Sequence, residues 1–84
     1  MDERREKLRS DLTRLLTVAL AELVREGFAV SALVPEFIEN YEFGLAYEFI
    51  VEGLKEHDIR PNAEAIEGLR AAASIMGFEP PFLD

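Results

Sequence analysis

The sequence predicts an all-α fold, a small antiparallel bundle of four helices that forms one domain over residues 1–84. Apolar residues recur at intervals of three and four positions in four successive segments, which is the period of an amphipathic helix. Residues that typically start or end helices, such as Gly27, Pro61 and Gly77, lie between or after those segments. No stretch alternates polar and apolar residues over more than a few positions, so the sequence predicts no strand.

Helix one is predicted over residues 3–26, and Gly27 follows it as a plausible C′ residue. Its apolar stripe consists of Leu8, Leu12, Leu15, Leu16, Ala19, Leu20 and Leu23. Because this helix is the longest, we expect it to lie against the other three as the main element of the core. The connections are short, so helices that follow one another in the chain are expected to be neighbours.

Helices two and three are predicted from the next two apolar stripes. Ser31 can cap a short second helix, whose stripe is Leu33, Val34, Phe37, Ile38 and Tyr41. The third helix begins within residues 41–46 and ends near His57. Its predicted inward face is Leu45, Ala46, Phe49, Ile50, Gly53 and Leu54. Tyr47 falls outside that face, so we expect it to be exposed.

Helix four is predicted to start at Pro61 and Asn62 and to stop at Gly77. Its buried residues are expected to be Ala65, Ile66, Leu69, Ala72, Ala73 and Met76. A short extended tail follows the helix, and Phe82 in that tail is a candidate exposed aromatic residue.

Length and composition restrict the class of protein. A chain of 84 residues supports one core, and 49% hydrophobic with 31% charged residues indicates a soluble globular domain. A membrane-spanning helix needs roughly 20 consecutive apolar residues, and the sequence has no such run. The chain contains no cysteine, whereas small secreted domains usually depend on disulfides, so we predict a cytoplasmic protein.

The formal net charge of −8 is confined to one part of the chain. Residues 1–27 hold six acidic and six basic side chains, whereas residues 28–84 hold eleven acidic and three basic ones. Nucleic-acid binding draws its affinity from Lys and Arg contacts to phosphate, so this charge argues against a nucleic-acid partner. It suits a basic protein surface instead, although solubility alone is an alternative explanation.

The sequence contains no recognisable catalytic, cofactor or metal site. The only imidazole is that of His57, and the three serines have ordinary helix-cap or surface positions. The five glycines are dispersed and form no phosphate-binding loop. His57 lacks the accompanying residues of a helical metal motif, and a helix C-terminus favours its charge. We therefore predict a binding protein without cofactor rather than an enzyme.

A row of carboxylates on helix three is the main candidate for function. Glu48, Glu52 and Glu56 recur every four residues, and each such like-charge adjacency costs about 0.2 to 0.5 kcal/mol. Residues 36–58 hold seven acidic side chains against one basic side chain. A solvated face without function is the alternative interpretation. The predicted partner-binding residues are Glu39, Glu42, Tyr47, Glu48, Glu52, Glu56 and Asp58.

Aromatic residues lie in the same region. Tyrosine is enriched in the most important contacts of protein interfaces, and Tyr47 lies next to Glu48, so Tyr47 is the predicted aromatic anchor. Tyr41, at the end of helix two, is expected to be half-buried and to serve packing. The six phenylalanines are expected in the core or at its edge.

The segment Glu42-Phe43-Gly44-Leu45-Ala46-Tyr47-Glu48, with Ile59 and the helix-four ending Met76-Gly77, resembles the MafI-type immunity proteins of bacterial polymorphic toxin systems. Those short helical proteins typically carry Glu-x-Gly-Leu-Ala-x-Glu at mid-chain, then a turn with an Ile, then a last helix ending in a Met-Gly-like sequence. The match extends loosely over residues 35–78, and helix one has no counterpart in it. The small side chains of the motif would let another helix approach closely.

The resemblance implies a protein that binds a cognate toxin in the cytoplasm of the producing cell and blocks it. Such proteins often cover a nuclease active site or its substrate surface, and a basic toxin domain would suit the charge of −8. Two alternatives stay open. The chain could be a self-associating structural module in which helix one or residues 78–83 bury an apolar strip, or an adaptor that binds a short helix in a groove. Under the leading interpretation, we expect a monomer or weak homodimer.

Overall fold

The computed structural model describes residues 3–58 and 60–79 of the chain. These residues form four α-helices: α1 (Glu3–Arg25), α2 (Leu33–Glu39), α3 (Phe43–Glu56) and α4 (Ala63–Met76). No strand occurs in these two ranges. The all-α class is confirmed, whereas the antiparallel order of the bundle stays a prediction. Ile59, Phe82 and the predicted tail beyond Glu79 lie outside the described residues.

The core is organised around α1, which contacts all three other helices and packs most extensively against α4. The pairing of α2 with α3 comes next. Each pair of helices adjacent in the chain is in contact, as the sequence predicts, but α1 packs more extensively on α4 than on its chain neighbour α2, which has only seven residues. Pro61 is buried, and the other buried residues form the hydrophobic core: Leu12, Leu16, Ala19, Leu23, Phe28, Val34, Ile38, Phe43, Ala46, Tyr47, Ile50, Leu54, Ala65, Leu69, Ala72 and Ala73.

The first turns of α1 extend beyond this core. Residues 3–10 are all exposed, and Leu8, which the apolar stripe placed inside, is 46% exposed. The reason is length, because the 23 residues of α1 span about 35 Å, whereas the 14 residues of α4 span about 21 Å. None of the described helices is long and apolar enough to cross a membrane.

A residue with positive φ follows each helix: Gly27 at 90°, Tyr41 at 61°, Asp58 at 54° and Gly77 at 74°. A left-handed residue is a common way to end a helix, and glycine adopts that conformation without a steric cost. The two predicted glycine stops are therefore confirmed. Tyr41 and Asp58 take the same conformation without being glycine.

Side chains also mark the helix starts. The Oδ1 atom of Asn62 accepts the N–H of Ala65 at 2.8 Å, and its Nδ2 atom donates to Glu22 Oε1 at 2.8 Å, so the beginning of α4 is capped and joined to α1. The hydroxyl oxygen of Ser31 accepts the N–H of Leu33 at 3.2 Å and supports the first turn of α2. The start of α4 agrees with the sequence prediction, whereas the N-cap residue of α2 is Ala32 rather than the predicted Ser31.

Candidate protein-binding cleft

The rotation of α3 about its axis decides which of its side chains reach the surface. The buried residues of α3 are Phe43, Ala46, Tyr47, Ile50 and Leu54. The exposed residues include Leu45, Glu48, Phe49, Glu52 and Glu56. The predicted inward face is wrong at Leu45 and Phe49, each of which is 41% exposed. Apolar and acidic side chains consequently share the outer side of this helix.

A cleft of about 420 Å³ opens between α3 and the segment that joins α1 to α2. Its apolar lining comes from Phe28, Val30 and Phe49. Phe28 is 7% exposed, and its Cζ atom would lie 3.1 Å from a Cβ atom at position 53. Because residue 53 is glycine, the Phe28 ring reaches the backbone of α3 and forms an apolar floor.

Three carboxylates line the same cleft, those of Glu48, Glu52 and Glu56. They follow one another at intervals of about 6 Å along the helix axis. The cleft therefore combines an apolar floor with negative charge at its edge.

His57 lies at the end of the cleft formed by the C-terminus of α3. Its ring meets that of Phe28 edge to face, with 6.3 Å between the ring centroids, and its Nε2 atom lies 3.9 Å from Glu56 Oε1. Its backbone N–H donates to the carbonyl oxygen of Gly53, so His57 is the C-cap of α3. The predicted position near a helix C-terminus is confirmed.

Tyr47 does not belong to this cleft. Its side chain is only 5% exposed, its ring packs edge to face on Phe78 with 5.7 Å between centroids, and its hydroxyl donates to the carbonyl oxygen of Glu79 at 3.2 Å. Burial raises the pKa of the phenol above 10.0. The prediction of an exposed Tyr47 anchor is wrong, because the residues that follow α4 cover the ring.

The other predicted acidic residues lie away from the cleft. Glu39 ends α2 and Glu42 precedes α3, so both are at the start of α3, and Asp58 follows its end. All three are exposed. The 14 residues of α3 span about 21 Å, which separates Glu42 from Asp58 by roughly that distance. Of the predicted acidic residues, Glu48, Glu52 and Glu56 line the cleft, and a role for the other three in partner binding stays a prediction.

Tyr41 is a second aromatic residue at the surface, and it was not among the predicted partner-binding residues. Its side chain is 54% exposed, and the guanidinium carbon of Arg9 lies 4.6 Å from its ring centroid. The side chain is thus about half-buried, as expected, and its ring also packs on that of Phe43, with 5.9 Å between the ring centroids. In the sequence, Tyr41 lies between Glu39 and Glu42.

A spacing in the sequence could have identified Phe49. Leu45, Phe49, Glu52 and Glu56 follow the pattern i, i+4, i+7 and i+11, so they share one face of α3. The contributions of Phe28 and Val30 could not be found in this way, because they depend on how the segment after α1 folds back on α3.

No group of three or more His, Asp or Glu side chains in the described part of the chain is arranged to hold a metal ion. Comparisons of the chain with protein-family models, with curated proteins and with solved structures found no match.

Proposed function

We propose that this chain is a binding module that docks a basic protein surface at the α3 cleft and thereby neutralises a cognate toxin in the cytoplasm. One observation supports the proposal above all others: a surface cleft joins an exposed phenylalanine, Phe49, to the row of Glu48, Glu52 and Glu56. A basic partner gives these carboxylates counter-charges and removes the apolar floor from water.

The charge row is unfavourable for the isolated chain. Each adjacency in the row costs about 0.2 to 0.5 kcal/mol, and exposed carboxylates gain little in return. Binding reverses the sign of this contribution, because each carboxylate then faces a cation in a partly desolvated interface. Charges at the edge of an interface also attract an opposite partner at a distance, so association is expected to be fast and sensitive to salt.

That the partner is a toxin is proposed from the resemblance of the chain to MafI-type immunity proteins. The motif contributes to the core and to the cleft, since Ala46 is fully buried whereas Glu48 lines the cleft. Its glycine, Gly44, faces Phe78, whose Cζ atom would lie 3.2 Å from a Cβ atom at that position. At Gly44, the close approach is therefore made by Phe78, which follows α4, rather than by another helix.

Self-association receives less support. The exposed apolar residues of α1 include Leu8, Val18 and Val24, and at 100° per residue their directions differ by at least about 80°. They form no continuous strip on which a second copy could pack. Phe78, the first residue of the predicted associating tail, is engaged by Tyr47 within the chain.

The proposal is tested by capturing partners of the tagged chain from the cells in which it is native. We expect a protein with a basic domain to bind at low salt and to leave at high salt. Glu48→Gln/Glu52→Gln should recover at least about tenfold less of it, because two charge pairs of roughly 1 kcal/mol each are lost. Glu64→Gln/Glu67→Gln removes the same charge from the exposed side of α4 and is the matched control.

A second measurement distinguishes neutralisation from mere binding. The captured basic protein is expressed in a sensitive host together with the wild-type chain or with each variant. We expect the wild-type chain and the α4 control to protect growth, and the α3 variant to protect poorly. Equal protection by all three chains would contradict the assignment of the cleft, and no protection by any of them would contradict the immunity function.

A further inference from the structure

The cleft has aromatic side chains and carboxylates within a single opening. Phe49 and Phe28 supply two rings, and the edge bears the carboxylates of Glu48 and Glu52. Its volume of about 420 Å³ is near the lower end of the range for ligand clefts, so it suits one long side chain rather than a whole helix.

We infer that the cleft receives an arginine side chain of the partner, with the guanidinium over Phe49 and its N–H groups donating to Glu48 and Glu52. This inference rests on the proposed function and specifies the chemistry that the cleft recognises. A neutral apolar side chain is a poor occupant, because it would desolvate the carboxylates without giving them hydrogen bonds.

Arginine fits this lining better than lysine does. A guanidinium is planar, stacks on aromatic rings and is weakly hydrated, so it enters a cleft with an apolar floor at a lower desolvation cost. Its five N–H donors form a fork that can serve two neighbouring carboxylates at once. An ammonium group is a compact, strongly hydrated charge and is expected to stay at the acidic edge, away from Phe28 and Phe49.

The test uses small probes on the isolated, isotope-labelled full-length chain, followed by amide NMR. N-acetyl-arginine amide is titrated in parallel with N-acetyl-citrulline amide, its neutral analogue of nearly equal shape, and with N-acetyl-lysine amide. We expect saturable shifts from arginine at residues 28–31 and 48–57, with a Kd of about 1 to 10 mM from one stacked, paired cation. Citrulline should give no saturation, and lysine should bind at least about threefold more weakly.

Two variants examine the two halves of the cleft. Glu52→Gln removes charge, and Phe49→Leu removes the ring while keeping an apolar contact for Phe37, whose centroid lies 5.1 Å from that of Phe49. Each is expected to weaken arginine binding at least about threefold, whereas Glu64→Gln on α4 leaves it unchanged. The amide spectrum of each variant shows whether the fold is preserved.

The inference is wrong if citrulline or lysine binds as well as arginine, or if Glu52→Gln has no effect. That failure is distinguishable from failure of the proposed function. If the arginine probe does not bind, but capture of the basic partner still depends on Glu48 and Glu52, the partner uses other chemistry and the proposed function survives. If neither depends on these residues, both are wrong.

Discussion

Tyr41 is held in a conformation that favours glycine. It occupies the C′ position of α2 with a φ of 61°, its N–H donates to the carbonyl oxygen of Ile38 at 3.1 Å, and the next N–H, of Glu42, donates to Phe37 at 2.7 Å. These two bonds complete a Schellman motif, which satisfies helix carbonyls. A side chain at this φ costs roughly 1–2 kcal/mol, and the contact with Arg9 offsets part of that cost.

We predict that Tyr41→Gly is more stable than Tyr41→Ala by about 1 kcal/mol. Both variants lose the ring and its contact with Arg9, so their difference isolates the backbone cost of a Cβ atom in the left-handed region. Urea unfolding measures the two free energies. Ser74, an exposed residue inside α4, is the control position, where glycine should be less stable than alanine by about 1 kcal/mol. Equal stability of the Tyr41 pair would contradict the left-handed assignment.

Tyr47→Phe is predicted to cost about 1 kcal/mol, because it removes the hydrogen bond to the carbonyl oxygen of Glu79 while keeping the ring. The pH dependence provides a second readout. Burial raises the phenol pKa in the folded chain above 10.0, so the stability linked to the neutral phenol is complete below pH 10 and is lost as the pH rises through the folded-state value. Thermal unfolding between about pH 8 and 11 should fall more steeply for wild type than for Tyr47→Phe.

At the scale of elements, α1 and α4 approach each other closely at Gly68. A Cβ atom on this residue would lie 3.3 Å from the backbone oxygen of Leu15 and 3.6 Å from the Cβ atom of Ala19. A backbone atom inside a helix cannot move aside as a side-chain tip can. Gly68 therefore allows the close packing of α1 on α4, the most extensive contact between two helices of the described part of the chain.

We predict that Gly68→Ala lowers the free energy of unfolding by about 1 kcal/mol. Alanine gains about 1 kcal/mol of helix propensity over glycine, whereas overpacking typically costs about 1–3 kcal/mol, so the net effect is destabilising. Urea unfolding gives the value, with Ser74→Ala on the same helix as a neutral or slightly stabilising control. A stabilised Gly68→Ala would mean that the two helices can separate without cost.

The helices and their ends could be predicted from the sequence because they depend on local signals: Gly27, Gly77, Asn62 and the apolar period. The rotation of α3 could not, because apolar residues lie on both of its sides. Which side of α3 faces the core is decided by contacts distant in sequence: the Phe78 ring packs on the Tyr47 ring, and the carbonyl oxygen of Glu79 accepts the hydrogen bond of the Tyr47 hydroxyl.

The short length of α2 explains why Phe49 stays exposed. The seven residues of α2 span about 10 Å and cannot cover the 21 Å or so of α3. Phe37, on α2, reaches Phe49 with its ring, and the segment around Phe28 covers the region of Gly53. The cleft lies in this partly covered region, which a helix prediction alone cannot show.

At the scale of the whole molecule, charge is divided between the elements. The described part of the chain measures 42 × 25 × 17 Å along its principal axes. Ion pairs on α1 join Asp11 to Lys7 at 3.4 Å and to Arg14 at 3.8 Å, so many of its charges are compensated locally. The excess of negative charge lies after residue 27, and the Glu48–Glu56 row is part of it.

We predict that Glu48→Gln/Glu52→Gln stabilises the isolated chain by a few tenths of a kcal/mol at low salt. The double change removes two repulsions, Glu48–Glu52 and Glu52–Glu56, of about 0.2 to 0.5 kcal/mol each. It also removes one attraction of similar size, between Glu52 and Lys55 at i+3, so a small net gain remains. Glutamine and glutamate have similar helix propensities, so the difference is electrostatic. Urea unfolding at about 10 mM and about 1 M NaCl measures it, and screening should abolish the gain at the higher concentration.

Stability and binding are then expected to change in opposite directions. The α4 control, Glu64→Gln/Glu67→Gln, should give no gain in stability, because it removes Glu64 from the first turn of α4, where the helix dipole favours a negative charge. If the α3 variant is more stable than wild type but captures less of the basic partner, the Glu48–Glu56 row serves the contact with the partner, because the fold alone is more stable without these charges. A less stable α3 variant would instead show that the row supports the fold, which is the outcome expected of a solvated face without a partner.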